Sequence, residues 1–443
     1  MIYTFWFHSP PIRDEWVWLF WLAIPIFRLR MHIRSRLWVE TPLNNLLIAF
    51  ILLTAFNFAT APFSRSDYLV LISRPLLGMW LFVYFTDHAA TWKTMQWLAL
   101  ATVGMSLLVG VTSLTTTVWE TSKSADLTFI IEALPRFDWR AIDSPKPLFP
   151  PIQDMGLGFN PNEVAGALAF VIPLMAAFAI GSPQSGSDKH GQNHIWLGIR
   201  VMAAIAFAVS MISLIVGQSR FAIAGVIGAL SLVVFLLISG RIWKFVAAAT
   251  IAIMVLFQAA IFFNLFAPVG DSNATVGISS RDQNTFSTRF ELWESATRMM
   301  LDYPLTGTGM SMFRTATNQE AYRIDYYVQR GTTPPHAHNE WLQIGADLGI
   351  PGFLMFVTMQ LVILWMLWKG WSSQHPYGRI IAVAVFGGLV AHSVYGVGDA
   401  ITLWDRFSFI LWWLVGLAGA QYVVATQANT QSSIDLPKAE ETK

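Results

Sequence analysis

Residues 334–368 read PPHAHNEWLQIGADLGIPGFLMFVTMQLVILWMLW. From Leu342 to Trp368 the chain is almost wholly apolar. As a helix it is long enough to cross about 30 Å of hydrocarbon, for which roughly 20 residues suffice. The stretch therefore reads as a membrane span whose mouth carries two histidines, His336 and His338, just after a proline pair. An imidazole placed there is a candidate for proton transfer at a membrane surface.

The same apolar pattern recurs on both sides. Runs of spanning length fall near 43–61, 67–86, 94–112, 161–181, 198–217, 220–239, 242–264, 379–397 and 404–424, which with 342–368 predict ten spans. The shorter WVWLFWLAIPIF at 16–27 contains Pro25 and is either a tilted eleventh span, the reading we favour, or an interfacial segment. The expected fold is thus an all-α polytopic transmembrane bundle of about 10–12 spans. Composition agrees: 54% of residues are hydrophobic and 12% charged, against about 25% charged in soluble proteins. The 20 Trp and 32 Phe suit lipid-facing and interfacial positions. A net charge of +1 offers no basic footprint for nucleic acid, and the absence of cysteine excludes disulfides and thiolate metal sites. No removable signal peptide is expected, since no small-residue cleavage site follows the first apolar run.

Two polar interruptions stand out, at 113–158 and 265–340. Placing the arginine-rich loop RLRMHIRSR (28–36) in the cytoplasm puts most short-loop lysines and arginines there, and alternation then sends both interruptions to the external face. The chain divides into N-terminal spans over 1–200, a core over 201–357 containing the 265–340 loop, C-terminal spans over 358–426 and a polar cytoplasmic tail over 427–443, expected to be disordered.

Three constellations carry chemistry. Arg220 sits in GQSRFAIAG at the external end of a helix hairpin, as an anion ligand or as a topological anchor reaching headgroups. Arg289 lies in STRFELWESATRMM, an amphipathic helix of the large loop. There Thr288 and Glu291 look like a capping box that would put Arg289 in the first turn, adding its charge to the backbone donors of a helix start. His338 shares a helical face with Leu342, Gly345 and Gly349, and the glycine pair allows close helix approach beneath it. His336 and His338 without a third ligand beside them are weak for metal, so no metal site is expected. Arg74, inside YLVLISRPLLGMW, needs a buried partner or a lipid phosphate; Asp347, His392 and Asp399 are available to it or to Arg220. In GFNPNEVAG, Asn160 reads as a helix cap, Pro161 as the first helical residue and Glu163 as closing the box.

The ordered set, SR at a helix hairpin, an R…W segment before PLTGTG, then HNEWLQIGADLGIPGF, resembles the O-antigen ligase and polymerase superfamily of bacterial membrane glycosyltransferases. The resemblance covers about 201–357, with echoes in FNPNEVAGALAFVIPL and HSVYGVGD. It implies a multi-pass inner-membrane enzyme, related in fold to the type C membrane glycosyltransferases, that transfers an undecaprenyl-pyrophosphate-linked glycan to a lipid, glycan or protein hydroxyl at the external face. It implicates His338 as base, Arg220 and Arg289 on the pyrophosphate, and Arg74, His336 and Asn339 in secondary roles. Nucleotide sugars are cytoplasmic, so a site on external loops needs a donor already attached to a membrane lipid. Two or three arginines can meet the charge developing on a departing pyrophosphate without a metal or other cofactor, and direct displacement inverts the anomeric carbon. No Asp-x-Asp motif is present. The alternative is a transporter or flippase of lipid-linked oligosaccharide that binds pyrophosphate without catalysis.

Overall fold

A computed structural model describes residues 38–63, 68–89, 91–117, 160–182, 192–250 apart from 218, 239 and 247, residue 252, and 280–434 apart from 374, 375, 402 and 406. The chain is all-α. Among the described residues the α-helices are α1 (Asn44–Thr60), α2 (Tyr68–His88), α3 (Trp92–Thr116), α4 (Pro161–Ile180), α5 (Gln192–Gly217), α6 (Arg220–Leu237), α7 (Ser280–Asp302), α8 (Phe313–Ala316), α9 (Asp325–Val328), α10 (Glu340–Ser372), α11 (Pro376–Gly398) and α12 (Ser408–Ile434).

Among the described residues, seven helices, α3 to α6 and α10 to α12, are long and apolar enough to cross a membrane. The chain is a multi-pass membrane protein. Of the other three expected spans, α1 has 17 residues, and α2 has 21 with Arg74 inside and Asp87 and His88 at its end. The run at 242–264 lies largely outside the described residues, as do 16–27 and most of the 113–158 interruption, although α3 runs on to Thr116. The last helix also runs further than the sequence suggests, to Ile434, so the start of the tail is helical; 435–443 lie outside the described residues.

The bundle is built around α4, which is buried at nearly every position from Val164 to Phe178. Helices α5, α6 and α11 pack on it, α3 lies behind α5, and α2 pairs with α12. Asn160 caps α4 by accepting from the Asn162 N–H at 2.9 Å, with Pro161 at the first helical position. The large loop has its own small core: Leu292, Ala296 and Met299 of α7 close over Phe313, Tyr322, Ile324, Ala337 and Ala346. Burying an apolar stripe of α7 on the mouth of α10 fixes the loop against the bundle.

That docking rests on a break in α10. Gly349 adopts φ 70, ψ −170, a backbone region open essentially to glycine, and Pro351 follows with no N–H to donate. The freed groups are captured by the turn after α7. The N–H of Thr308 donates to Ala346 O at 2.7 Å, that of Gly309 to Asp347 O at 3.1 Å, and that of Ile350 to Pro304 O at 2.8 Å. Buried Asn57 of α1 donates to Thr306 O and Asp347 O and accepts from the Met310 N–H, so α1, the turn after α7 and α10 share one polar hub. The close approach expected at Gly345 does occur: a Cβ there would meet Met300 Sδ of α7 at 2.5 Å.

Candidate active site

The helix of α10 begins only at Glu340, with Asn339 as its cap, accepting from the Leu342 N–H at 3.0 Å. His338 therefore precedes the helix, and the expected shared face with Leu342, Gly345 and Gly349 does not exist. Instead its backbone sits at φ 49, in the left-handed region that costs a side-chain-bearing residue energy and that recurs at functional sites. The surrounding bonds hold it there. Its N–H donates to His336 Nδ1 at 3.1 Å, its carbonyl accepts from Trp293 Nε1 of α7 at 3.3 Å, and the neighbouring Ala337 N–H donates to Gln343 Oε1 at 2.7 Å.

The His338 ring meets a partner from far along the chain. Its Nδ1 lies 3.1 Å from Asp399 Oδ1, at the C-terminal end of α11, and His336 Nε2 lies 3.5 Å from the same oxygen. Burial disfavours the Asp399 carboxylate, but the His338 and His336 rings and the Arg289 charge outweigh it and hold the carboxyl well below the usual range. An ionised carboxylate only accepts, so His338 Nδ1 carries the proton and Nε2 keeps a lone pair. The His338 side chain is 20% exposed, so the ring is not sealed inside the bundle. For His336 the network fixes the opposite tautomer, because Nδ1 accepts and Nε2 must carry the hydrogen.

His336, His338 and Asp399 bring one ligand atom each within 4.8 Å of one another, so the fold places a third candidate ligand beside the two histidines. The two separations from Asp399 Oδ1, 3.1 and 3.5 Å, bracket the edge of about 3.3 Å expected of a tetrahedral zinc site. The hydrogen-bond pattern fits an orienting dyad better. A metal on His336 Nε2 would move that ring's proton onto Nδ1 and break its bond from the His338 N–H, and the positive charges of Arg314 and Arg289 bear on the same ring.

The arginines converge from two other helices. Arg220 is the first residue of α6, at the hairpin with α5 as expected. A Cβ on Gly398 would collide with the Phe221 ring, so that ring lies flat against the residue before Asp399, bringing the start of α6 to the end of α11. Arg289 stands over the other side of this region, its guanidinium carbon 5.2 Å from the Phe221 ring centroid. Burial lowers its pKa, with Asp399 opposing and Arg220 adding to the shift, so both arginines and the carboxylate share one field. The expected helix start at Thr288 is corrected: α7 begins at Ser280, so Arg289 lies inside the helix and away from the free backbone donors of its first turn.

Residues 205–357, which contain Arg220, Arg289 and His338, match the family model described as O-antigen ligase. Over this core the chain is similar to the O-antigen ligase family. No curated protein matches it. The O-antigen ligase assignment supports a membrane glycosyltransferase-like ligase or polymerase with a lipid-linked glycan donor.

Two of the other residues singled out in the sequence have partners in the bundle. Arg74 is buried and, as expected, has a buried partner: Nη1 donates to the Trp404 carbonyl, in the 399–407 connection that also carries Asp399. Asn339 acts as the cap of α10 and donates to Val397 O at 3.3 Å, tying the helix start to α11. Sequence reasoning missed the His338–Asp399 pairing, and likewise that of buried His392 on α11, whose Nε2 lies 2.8 Å from Glu340 Oε2 while its ring stacks on Phe170 at 3.7 Å. The only available signal was that HSVYGVGD ends an apolar run with an acid.

Burial and the positive charges of His338, Arg314 and Arg289 pull the His336 pKa down to about 3, against the opposing pull of Asp399. A pKa depressed on folding contributes stability that is present above the unfolded value of about 6.5 and lost as pH falls towards 3. The melting temperature should therefore fall between about pH 6.5 and 4, and fall less in His336→Asn, which cannot titrate. Parallel thermal-shift curves for the two proteins over that window would expose an error.

Proposed function

We propose that the protein transfers an undecaprenyl-pyrophosphate-linked glycan to an acceptor hydroxyl at the external face of the bacterial inner membrane, inverting the anomeric carbon and using no metal. The observation that carries this reading is the His338–Asp399 pair set beside Arg289 and Arg220. In the step, the acceptor oxygen attacks the anomeric carbon, its proton goes to His338 Nε2, and the bond to the pyrophosphate oxygen breaks with its electron pair. Asp399 holds the ring in the receptive tautomer and stabilises the imidazolium that forms. Arg289 and Arg220 meet the negative charge on the leaving pyrophosphate, a role suited to planar guanidinium forks.

The test is transfer by purified protein from an undecaprenyl-pyrophosphate-linked glycan to candidate lipid and glycan acceptors, with EDTA present. Product of inverted anomeric configuration is expected. If proteoliposomes instead move the lipid-linked glycan between leaflets without transferring it, the transporter reading replaces this one. Arg220→Ala and Arg289→Ala should each weaken donor binding by about 10- to 100-fold, the worth of a charge-assisted contact. Unchanged donor affinity in both variants would remove the pyrophosphate role.

A further inference from the structure

We infer that His336 is a positioning residue whose Nδ1 lone pair locks the catalytic histidine into its left-handed backbone. This rests on the reading of His338 as the base. His336 is poorly placed to act as a second base. Its Nδ1 is occupied by the His338 N–H at 3.1 Å, and its Nε2, which carries the hydrogen, faces Asp399 at 3.5 Å. What the ring supplies is an acceptor two residues before the N–H it receives. That is the geometry in which Asn or Asp side chains close local turns, with a ring nitrogen in place of the side-chain oxygen.

His338 needs such a lock. It holds φ 49 without being glycine, and its ring must stay within 3.1 Å of Asp399 while its carbonyl stays on Trp293. The flanking residues are fixed independently: Ala337 by Gln343, Asn339 by Leu342 and Val397, and Pro334 O by Arg314 Nε at 3.5 Å. The His338 N–H is the one backbone donor of this turn that a side chain at 336 satisfies. Without that acceptor the N–H is left in a partly buried place with no partner, and the backbone relaxes towards ordinary φ values. The His338 ring then swings off Asp399.

The prediction separates acceptor position from ring character. His336→Asn keeps an acceptor at the reach of Nδ1, whereas His336→Gln places it one carbon further out and His336→Ala removes it. His336→Ala and His336→Gln should lower kcat by about 10- to 100-fold, the scale of a misplaced reacting group, with donor KM changed less than about twofold. His336→Asn should recover kcat to within a few-fold, with the wild-type pH profile. Full-length protein labelled with ¹⁵N-histidine provides a readout independent of transfer: His338 should show a protonated Nδ1 in wild type and His336→Asn, and mixed tautomers in His336→Ala. Wild-type kcat in His336→Ala, or an His336→Asn variant as impaired as His336→Ala, would overturn the inference. If wild-type protein transfers no glycan, the functional reading fails while the tautomer signals still decide whether His336 holds the turn.

Discussion

Replacing His338 with alanine is expected to lower kcat for glycan transfer by about 10²- to 10⁴-fold, the usual worth of a positioned general base, with donor affinity little changed. Asp399→Asn should cost a comparable amount although the ring keeps a hydrogen-bonding neighbour. An amide can donate to Nδ1 and so favours the tautomer with hydrogen on Nε2, which can no longer accept a proton. Groups that act as one unit are not additive, so the double variant should be scarcely slower than either single one. Single-turnover rates with saturating lipid-linked donor decide the matter. Residual transfer near wild type in His338→Ala would mean that another group takes the proton, and multiplicative losses in the double variant would mean that Asp399 acts apart from His338.

The helices were legible because a span must satisfy all its backbone groups internally and face lipid with apolar side chains, which leaves long unbroken runs in the sequence. Arg220, Arg289 and His338 were legible as charged or titratable residues next to such runs. Asp399 was not, because the 61 residues separating it from His338 include α10 and α11, and only packing brings their ends together. Local patterns misled where two devices look alike. Thr288 and Glu291 have the spacing of a capping box, yet α7 starts eight residues earlier, in a polar stretch with no apolar periodicity to mark it. His338 has helical spacing to Gly345 and Gly349, but Asn339 is the better cap and ends the helix one residue short of it. The glycine pair was rightly read as a close approach of another helix at its first member only. Gly345 admits Met300 of α7, whereas Gly349 breaks the helix.

Gly349→Ala is expected to be among the most damaging single-methyl changes in the described part of the chain. The position combines a backbone region closed to other residues with no room for a Cβ, which would lie 2.6 Å from Pro304 O and 2.9 Å from Gly307 N. Strained backbone of this kind costs about 1–3 kcal/mol. The clash also pushes away the 304–309 turn, which captures the carbonyls of Ala346 and Asp347 and supplies the acceptor for Ile350. Each buried group left without a partner costs a further 1–3 kcal/mol or so, against a total stability of about 5–15 kcal/mol. The variant should therefore give little folded protein in detergent and a melting temperature lowered by many degrees, with transfer lost along with the fold. Gly104→Ala on α3 is the matched control, since nothing lies within 4 Å of its added Cβ. It should change stability by less than about 1 kcal/mol. Equal melting temperatures for the two variants would show that the kink tolerates a side chain, and that the loop carrying Arg289 is held on the bundle by its apolar core alone.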